Sequence, residues 1–360
     1  MNYTILVAPA AFKGTFGPRQ VAQAISAGVR RAVPDATVLQ CPISDGGDGL
    51  LDAVLPAEAL RERVEVTGPL GLPVPGVLGW LDGDSAIFES ATACGIALLK
   101  PPERDPLRTT TRGVGELIWE AVDRGARTVV VGLGGSATVD GGGGAARGVG
   151  WTLRDRAGAT LPEGGGALAE LGSLEGGWGL DARIVALTDV TTPLTGPKGA
   201  APVFAPQKGA SPAAVERLAA GLDVLAAAFA QHGRPELASL PGGGAAGGLG
   251  AGLAFFAGAE LVPGADWVLE RVGFDAALAT ADLVITGEGS FDRTSFVGKA
   301  SGEVLRRAQT TRKKVAVVAG SAGDLVGVHV ASGEGHTLDA AGIAALAERA
   351  TRDVLGLPTA

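Results

Sequence analysis

The chain has 360 residues, 46% apolar and 19% charged, with 58 glycines and 21 prolines; it is too apolar to stay disordered and long enough for two domains. Its net charge of −8 comes with no block of Lys or Arg, which argues against a nucleic-acid-binding face. Two cysteines outside any paired motif, an opening MNYTILVAP that reads as a strand, and no apolar run of the ~20 residues that span a bilayer together argue against disulfide frameworks, secretion and membrane insertion; the expected location is the cytoplasm.

The first predicted strand is TILVAP (4–9). A helix follows, opened by Pro18 in its first turn and presenting Val21, Ile25, Val29 and Val33 on one face. TVLQCPIS (37–44) is the second strand. The segment 68–90 is punctuated by Pro and Gly and reads as hairpins or a domain crossing, ending in the strand SAIFES (85–90). Thr111 to Arg124 forms a helix with Leu117, Ile118, Ala121 and Val122 apolar, stopped by Gly125. TVVVGLG (128–134) is a strand that runs into the glycine cluster of residues 132–144.

RIVALTD (183–189) is the next strand. Ser211-Pro212 opens a helix whose stripe of Val215, Leu218, Leu222, Leu225 and Phe229 reads as core packing. A second glycine-rich segment covers 242–252. DLVITGEG (282–289) and KVAVVAG (314–320) complete the strands. Runs this apolar belong to strands buried on both faces, and their alternation with helices gives an α/β fold with largely parallel sheets.

In open α/β sheets ligands bind beyond the carboxyl ends of the strands. The polar residues there are Lys13; Ser44, Asp45 and Asp48; Glu89 and Ser90; Ser136, Thr138 and Asp140; Thr188 and Asp189; and Glu288, Asp292 and Arg293, followed by Lys299. Lys208 stands just before a helix start. Carboxylates, lysines and glycine-rich loops together suit a phosphate-bearing anion with a divalent cation. Bare backbone amides hold phosphate oxygens, a few carboxylates hold Mg²⁺, and Lys supplies a mobile charge. Taken singly each signal is weak, since an Asp before Gly-Gly is commonly a turn residue.

A rival lies in Gly132 to Ala137, which fits G-x-G-x-x-A after a strand, with Asp155 near the place of a ribose-binding acid. That loop must open straight into a helix, and glycines 141–144 are expected to stop one from forming there. A Walker A loop is absent, because Ala300 follows Gly298-Lys299. There is no G-x-S-x-G, and His232, His329 and His336 lack zinc spacing and read as surface residues.

Read together, APAAFKGTF (8–16), ISDGGDGLLDA (43–53), EVTGPLGLPV (65–74), RDPLRTTTRGVGELI (104–118) and GLGGSATVDGGGG (132–144) resemble, in order, the motifs of the bacterial type I glycerate kinases. So do TDVTTPLTGPKGA (188–200), VFAPQKGA (203–210), PGGGAAGGLGAGL (241–253) and DLVITGEGSFDRTSFVGKA (282–300). The resemblance implies a kinase that phosphorylates D-glycerate from ATP with Mg²⁺, with the 2-phosphate as the favoured product and a homo-oligomer left open. It also implies two different α/β domains: a discontinuous flavodoxin-like one, 1–66 with 265–360, and an inserted mixed-sheet one, 67–264, with the active site in the cleft between them.

On these residues Asp189 is the first candidate for general base and Asp45 the second, with Lys13 beside them. Gly134, Gly135, Ser136, Gly243, Gly244, Gly247 and Gly248 are the candidates for nucleotide phosphates. Lys13, Arg293 and Ser44 are those for glycerate, and Glu288 and Asp292 those for the metal; Lys208 and Lys299 are secondary, either of them equally well a surface lysine. Ala10-Ala11 stands where the family has Asp-Ser, Val139 where Asn is common and Thr191 where many members carry a second Asp. Besides the dinucleotide-dependent oxidoreductase, a non-catalytic nucleotide-binding protein is the alternative that these departures keep open.

Overall fold

A computed structural model describes residues 2–12, 14–296, 298–323, 328–336 and 338–358. Its strands, in chain order, are β1 (Thr4–Pro9), β2 (Thr37–Gln40), β3 (Arg61–Thr67), β4 (Pro73–Asp82), β5 (Ser85–Glu89), β6 (Thr128–Gly132) and β7 (Trp151–Asp155). They continue with β8 (Leu171–Gly176), β9 (Arg183–Leu187), β10 (Glu260–Val262), β11 (Leu283–Phe291), β12 (Lys314–Ala322) and β13 (His329–Ser332). The chain divides into two compact units, 1–57 with 263–360, and 58–262. No helix among the described residues is long and apolar enough to cross a membrane.

The first unit holds one five-stranded sheet in the order β13-β12-β11-β1-β2, parallel throughout. Counted along that unit alone, the order is 2-1-3-4-5, the flavodoxin-like arrangement. The apolar runs of β1 and β11 are buried along most of their length, as strands covered on both faces must be. The helix Pro18–Ala32 packs Val21, Ile25 and Val29 against Ile5, Val7 and Ile285, and Ile343 and Ala347 of the helix Ala340–Leu355 join the same core. β2 stops at Gln40, earlier than the apolar run suggests; Pro42 has no N–H for a ladder, and Cys41 and Ile43 continue as loop, bonded to Val7 O and Pro9 O.

The second unit is built on a six-stranded sheet, β10-β9-β6-β5-β4-β3, and a two-stranded one, β7-β8. β5, β6, β9 and β10 run parallel, whereas β3, β4 and β5 form antiparallel hairpins across 61–89. Hence one sheet is parallel and the other mixed. Leu218, Leu222, Leu225 and Phe229 of the helix Pro212–Gln231 are buried, with Val215 half-buried, and they join Leu117, Ile118, Val129 and Val131 in one core.

Candidate active site

At the carboxyl edge of the five-stranded sheet, the first unit encloses a cavity of about 420 Å³. Its walls are Ala10, Ala11, Phe12 and Thr15 after β1, Ser44, Asp45 and Asp48 after β2, Glu288 to Ser290 of β11, and Gly320 and Ser321 of β12. Lys299, Ala300, Ser301, Gly335, His336 and Leu338 complete the lining. This is the point where the connection from β1 leaves for β2 on one side and that from β11 leaves for β12 on the other, the place where open α/β sheets bind ligands. The size falls in the usual range for a small-molecule site.

Glu288 organises one wall. It is 9% exposed, accepts from Ser301 Oγ at 2.6 Å and pairs with Lys299 Nζ at 3.3 Å. A carboxylate that deep needs such donors to replace the water it has lost. On another wall Ser44 is buried and accepts from Gly46 N, while Asp45 Oδ1 accepts from Gly47 N at 3.2 Å, both in tight turns of the ISDGGDG loop. Asp292 and Arg293 do not line the cavity. The Asp292 carboxylate takes Thr294 N and Oγ1 at 2.7 and 2.6 Å, and those bonds hold its pKa below the usual value. Arg293 is exposed. Lys13 lies outside the described residues.

The second unit answers why so many glycines are needed. Residues 133–142 form a loop after β6, and a short helix, Gly143–Gly148, follows it. The glycines therefore do not stop a helix at 143, contrary to expectation; Gly141 and Gly142 take left-handed φ of 61° and 76° and end the loop instead. The loop does not open straight into a helix, as a dinucleotide fingerprint requires, and the Asp155 carboxylate is spent on Ala157 N and Ala159 N. Gly134 is half-buried and Gly135 exposed, with the Gly135 carbonyl held by Ile96 N at 2.8 Å. Gly243, Gly244, Gly247 and Gly248 are buried instead. A Cβ on Gly244 would lie 2.3 Å from Pro193 O, and one on Gly248 2.9 Å from Gly141 Cα. The bare backbone of Gly247 and Gly248 serves contact between the two glycine segments, sealed by Gly141 N donating to Gly247 O, whereas Gly244 packs on Thr192 and Pro193.

The rest of the same loop carries a buried polar cluster. Lys208 Nζ donates to Ser136 Oγ at 2.8 Å and to Thr138 O at 2.7 Å. Lys208 is 4% exposed, so it is no surface lysine; burial pushes its ammonium down to about 8, against smaller opposing pulls from Cys94 and Asp140. Asp140 is 1% exposed and accepts from Thr111 N, Thr111 Oγ1, Gly142 N and Gly144 N at 2.8–3.1 Å. Burial raises its pKa and those four bonds oppose the rise. Asp189 stands half-buried just past β9, and the Thr188 N before it is held by Val262 O.

Residues 5–351 match the model of the glycerate kinase family. The chain belongs to that family. A glycerate kinase of Halalkalibacterium halodurans is 41% identical over 89% of this chain and 86% of its own, and a glycerate 2-kinase of Escherichia coli K12 is 41% identical over 90% and 87%. The crystal structure of a candidate glycerate kinase 2 from Salmonella typhimurium LT2 superposes with a TM-score of 0.85 at 39% identity, covering 99% of both chains. As a member of the glycerate kinase family this protein is an enzyme.

For a family member the departures at the cavity matter. Ala10 and Ala11 line it where the family's opening carries Asp and Ser, so the acids left on those walls are Asp45, Asp48 and Glu288. Among the described residues no group of three or more His, Cys, Asp or Glu could hold a metal ion unaided. Mg²⁺ bound with phosphate needs only one or two protein carboxylates, and the donor chemistry of Glu288 and Asp45 fits that demand. Sequence reading passed over Ser301, whose hydroxyl fixes Glu288, and His336, which it placed on the surface; His336 is exposed and lines the cavity.

Proposed function

We propose that this enzyme transfers the γ-phosphoryl group of ATP to a hydroxyl of D-glycerate, giving 2-phosphoglycerate and ADP, with Mg²⁺ as its metal, in the cytoplasm. The observation that carries the reading is the first unit's cavity, where Asp45, Glu288, Lys299 and Ser301 meet at the carboxyl edge of a flavodoxin-order sheet. Family membership supports the acceptor, and the Escherichia coli relative, named a glycerate 2-kinase, supports the 2-phosphate.

Phosphoryl transfer asks a protein for position and charge neutralisation more than for covalent chemistry. Glu288, held by Ser301, is the residue that would hold Mg²⁺, which when bound neutralises charge on the transferring phosphate. Lys299 is placed to meet an anionic oxygen and would leave Glu288 to do so. Asp189 is the first candidate to take the proton of the attacking hydroxyl and Asp45 the second, each beyond the carboxyl end of a strand. The amides of Gly134, Gly135 and Ser136 are the candidates for nucleotide phosphate, and the buried Gly247 and Gly248 pack against residues 138–141 of the same loop.

A coupled assay of ADP release with and without D-glycerate tests the reading, with phosphorus NMR of the product to identify the esterified oxygen. ATP turnover that ignores glycerate overturns it. Binding of NAD(P)H without ATP turnover would favour an oxidoreductase, and ATP binding without turnover a non-catalytic protein.

A further inference from the structure

β3 is one of the two edge strands of the six-stranded sheet, with β4 on its inner side. Their register sets Glu65 opposite Pro75 and Thr67 opposite Pro73. Proline has no N–H, so neither pair is bridged by a proline donor. Gly68 N bonds Leu72 O across the hairpin, whereas Thr67 N turns the other way to the Glu116 carboxylate at 2.7 Å. Backbone groups in an antiparallel ladder alternate in the side they face. Arg63 and Glu65, in step with Thr67, therefore point their N–H and C=O groups away from β4. Their side chains are exposed, opposite in sign and without an ion-pair partner among the described residues, while Val64 and Val66 are buried on the other face.

Apolar groups gather around this strand. Leu60, before it, is 63% exposed, and Leu72, in the turn after it, 68%. Trp119 and Trp178 pack edge to face, centroids 4.6 Å apart, and share a groove of about 270 Å³ with Val64, Glu65 and Val66. Exposed apolar side chains clustered on one edge mark an interaction surface.

We propose that β3 pairs antiparallel with β3 of a second copy, about a two-fold axis through Val64, joining two sheets into one. The charge pattern argues for this occupant. An axis at Val64 sets Arg63 of each copy opposite Glu65 of the other, on the same face. Sliding the strands by two residues sets Arg63 against Arg63 or Glu65 against Glu65, and sliding by one sends the valines to the wrong face. The same axis brings Leu60 of each copy beside the turn that carries Leu70 and Leu72 in the other. Charges on an edge strand usually deter pairing; here their order deters other edges and accepts its own.

Sedimentation velocity on the full-length protein across micromolar concentrations tests this. The wild type should sediment as a dimer. Arg63→Glu and Glu65→Arg should each weaken association about tenfold or more by setting like charges opposite one another. The double swap R63E/E65R exchanges the signs and should restore it. Arg63→Cys combined with Glu65→Cys should give a covalent dimer on oxidation, since paired residues about 5.5 Å apart suit a disulfide. A wild type that stays monomeric overturns the proposal. So does a dimer indifferent to the single reversals, or a double swap as weak as they are.

Discussion

Gly247 lies against Thr138 so closely that a Cβ on it would come within 2.0 Å of the Thr138 carbonyl oxygen. Its φ of 74° is left-handed as well, so a side chain there meets two obstacles. The backbone position costs an L-residue roughly 1–2 kcal/mol, and overpacking a rigid contact a further 1–3 kcal/mol. Gly247→Ala should destabilise the protein by about 2–5 kcal/mol and shift the thermal midpoint down by several degrees, read by calorimetry. A variant that melts with the wild type would mean that the two glycine segments do not interlock.

Lys208 should leave a signature in the pH dependence of stability. Its folded pKa, near 8, lies below the ordinary lysine value of 10.5 because burial disfavours the ammonium. Between those limits the unfolded chain binds more protons than the folded one, so this residue makes stability rise with pH across that window. The buried thiols of Cys41 and Cys94, raised to about 11 and 12, act in the opposite sense above pH 9. The comparison is therefore between the wild type and Lys208→Met, by urea unfolding at pH 8 and pH 10. The wild type should gain on the variant by about 1 kcal/mol per pH unit. Parallel curves would show that the ammonium is not desolvated.

The α/β class was legible because β1, β6, β9 and β11 are continuous apolar runs, and strands covered on both faces can be little else. β3 was not legible: RERVEVT has only two apolar residues, and an edge strand with one wet face does not need more. β7 and β8 were not legible for a like reason, since a two-stranded sheet buries little and WTLRD and LGSLEG carry only two apolar residues each. The acids and Ser44 of the cavity could be found as strand-end residues. Ser301 could not, because it begins a helix and its bond to Glu288 exists only once that helix docks. Nor can local sequence distinguish a surface lysine from Lys208, whose bonds to Ser136 Oγ and Thr138 O join residues some seventy positions apart.

Glu288 and Ser301 make a pair whose roles can be separated. Glu288→Gln keeps the shape and loses the charge, so the Mg²⁺ concentration for half-maximal rate should rise. Ser301→Ala keeps the charge and removes the donor that orients it; loss of a group that holds a metal ligand in place typically costs about 10–100-fold in metal affinity or activity. Metal titrations of steady-state turnover measure both. An unchanged titration for Glu288→Gln would remove it from metal binding and leave it to Lys299 alone.

Asp189 and Asp45 compete for one role, and turnover decides between them. Each sits beyond a strand end and is half-buried, so neither position alone selects the base. Asn keeps the size and much of the hydrogen bonding of Asp but cannot take a proton at neutral pH. If Asp189 accepts the proton of the glycerate hydroxyl, Asp189→Asn should lower kcat by about 100-fold or more, with a much smaller change in the KM for glycerate. Asp45→Asn should then raise KM more than it lowers kcat, as loss of a wall group in the cavity would. Near-normal kcat in Asp189→Asn together with a ~100-fold fall in Asp45→Asn would transfer the role to Asp45.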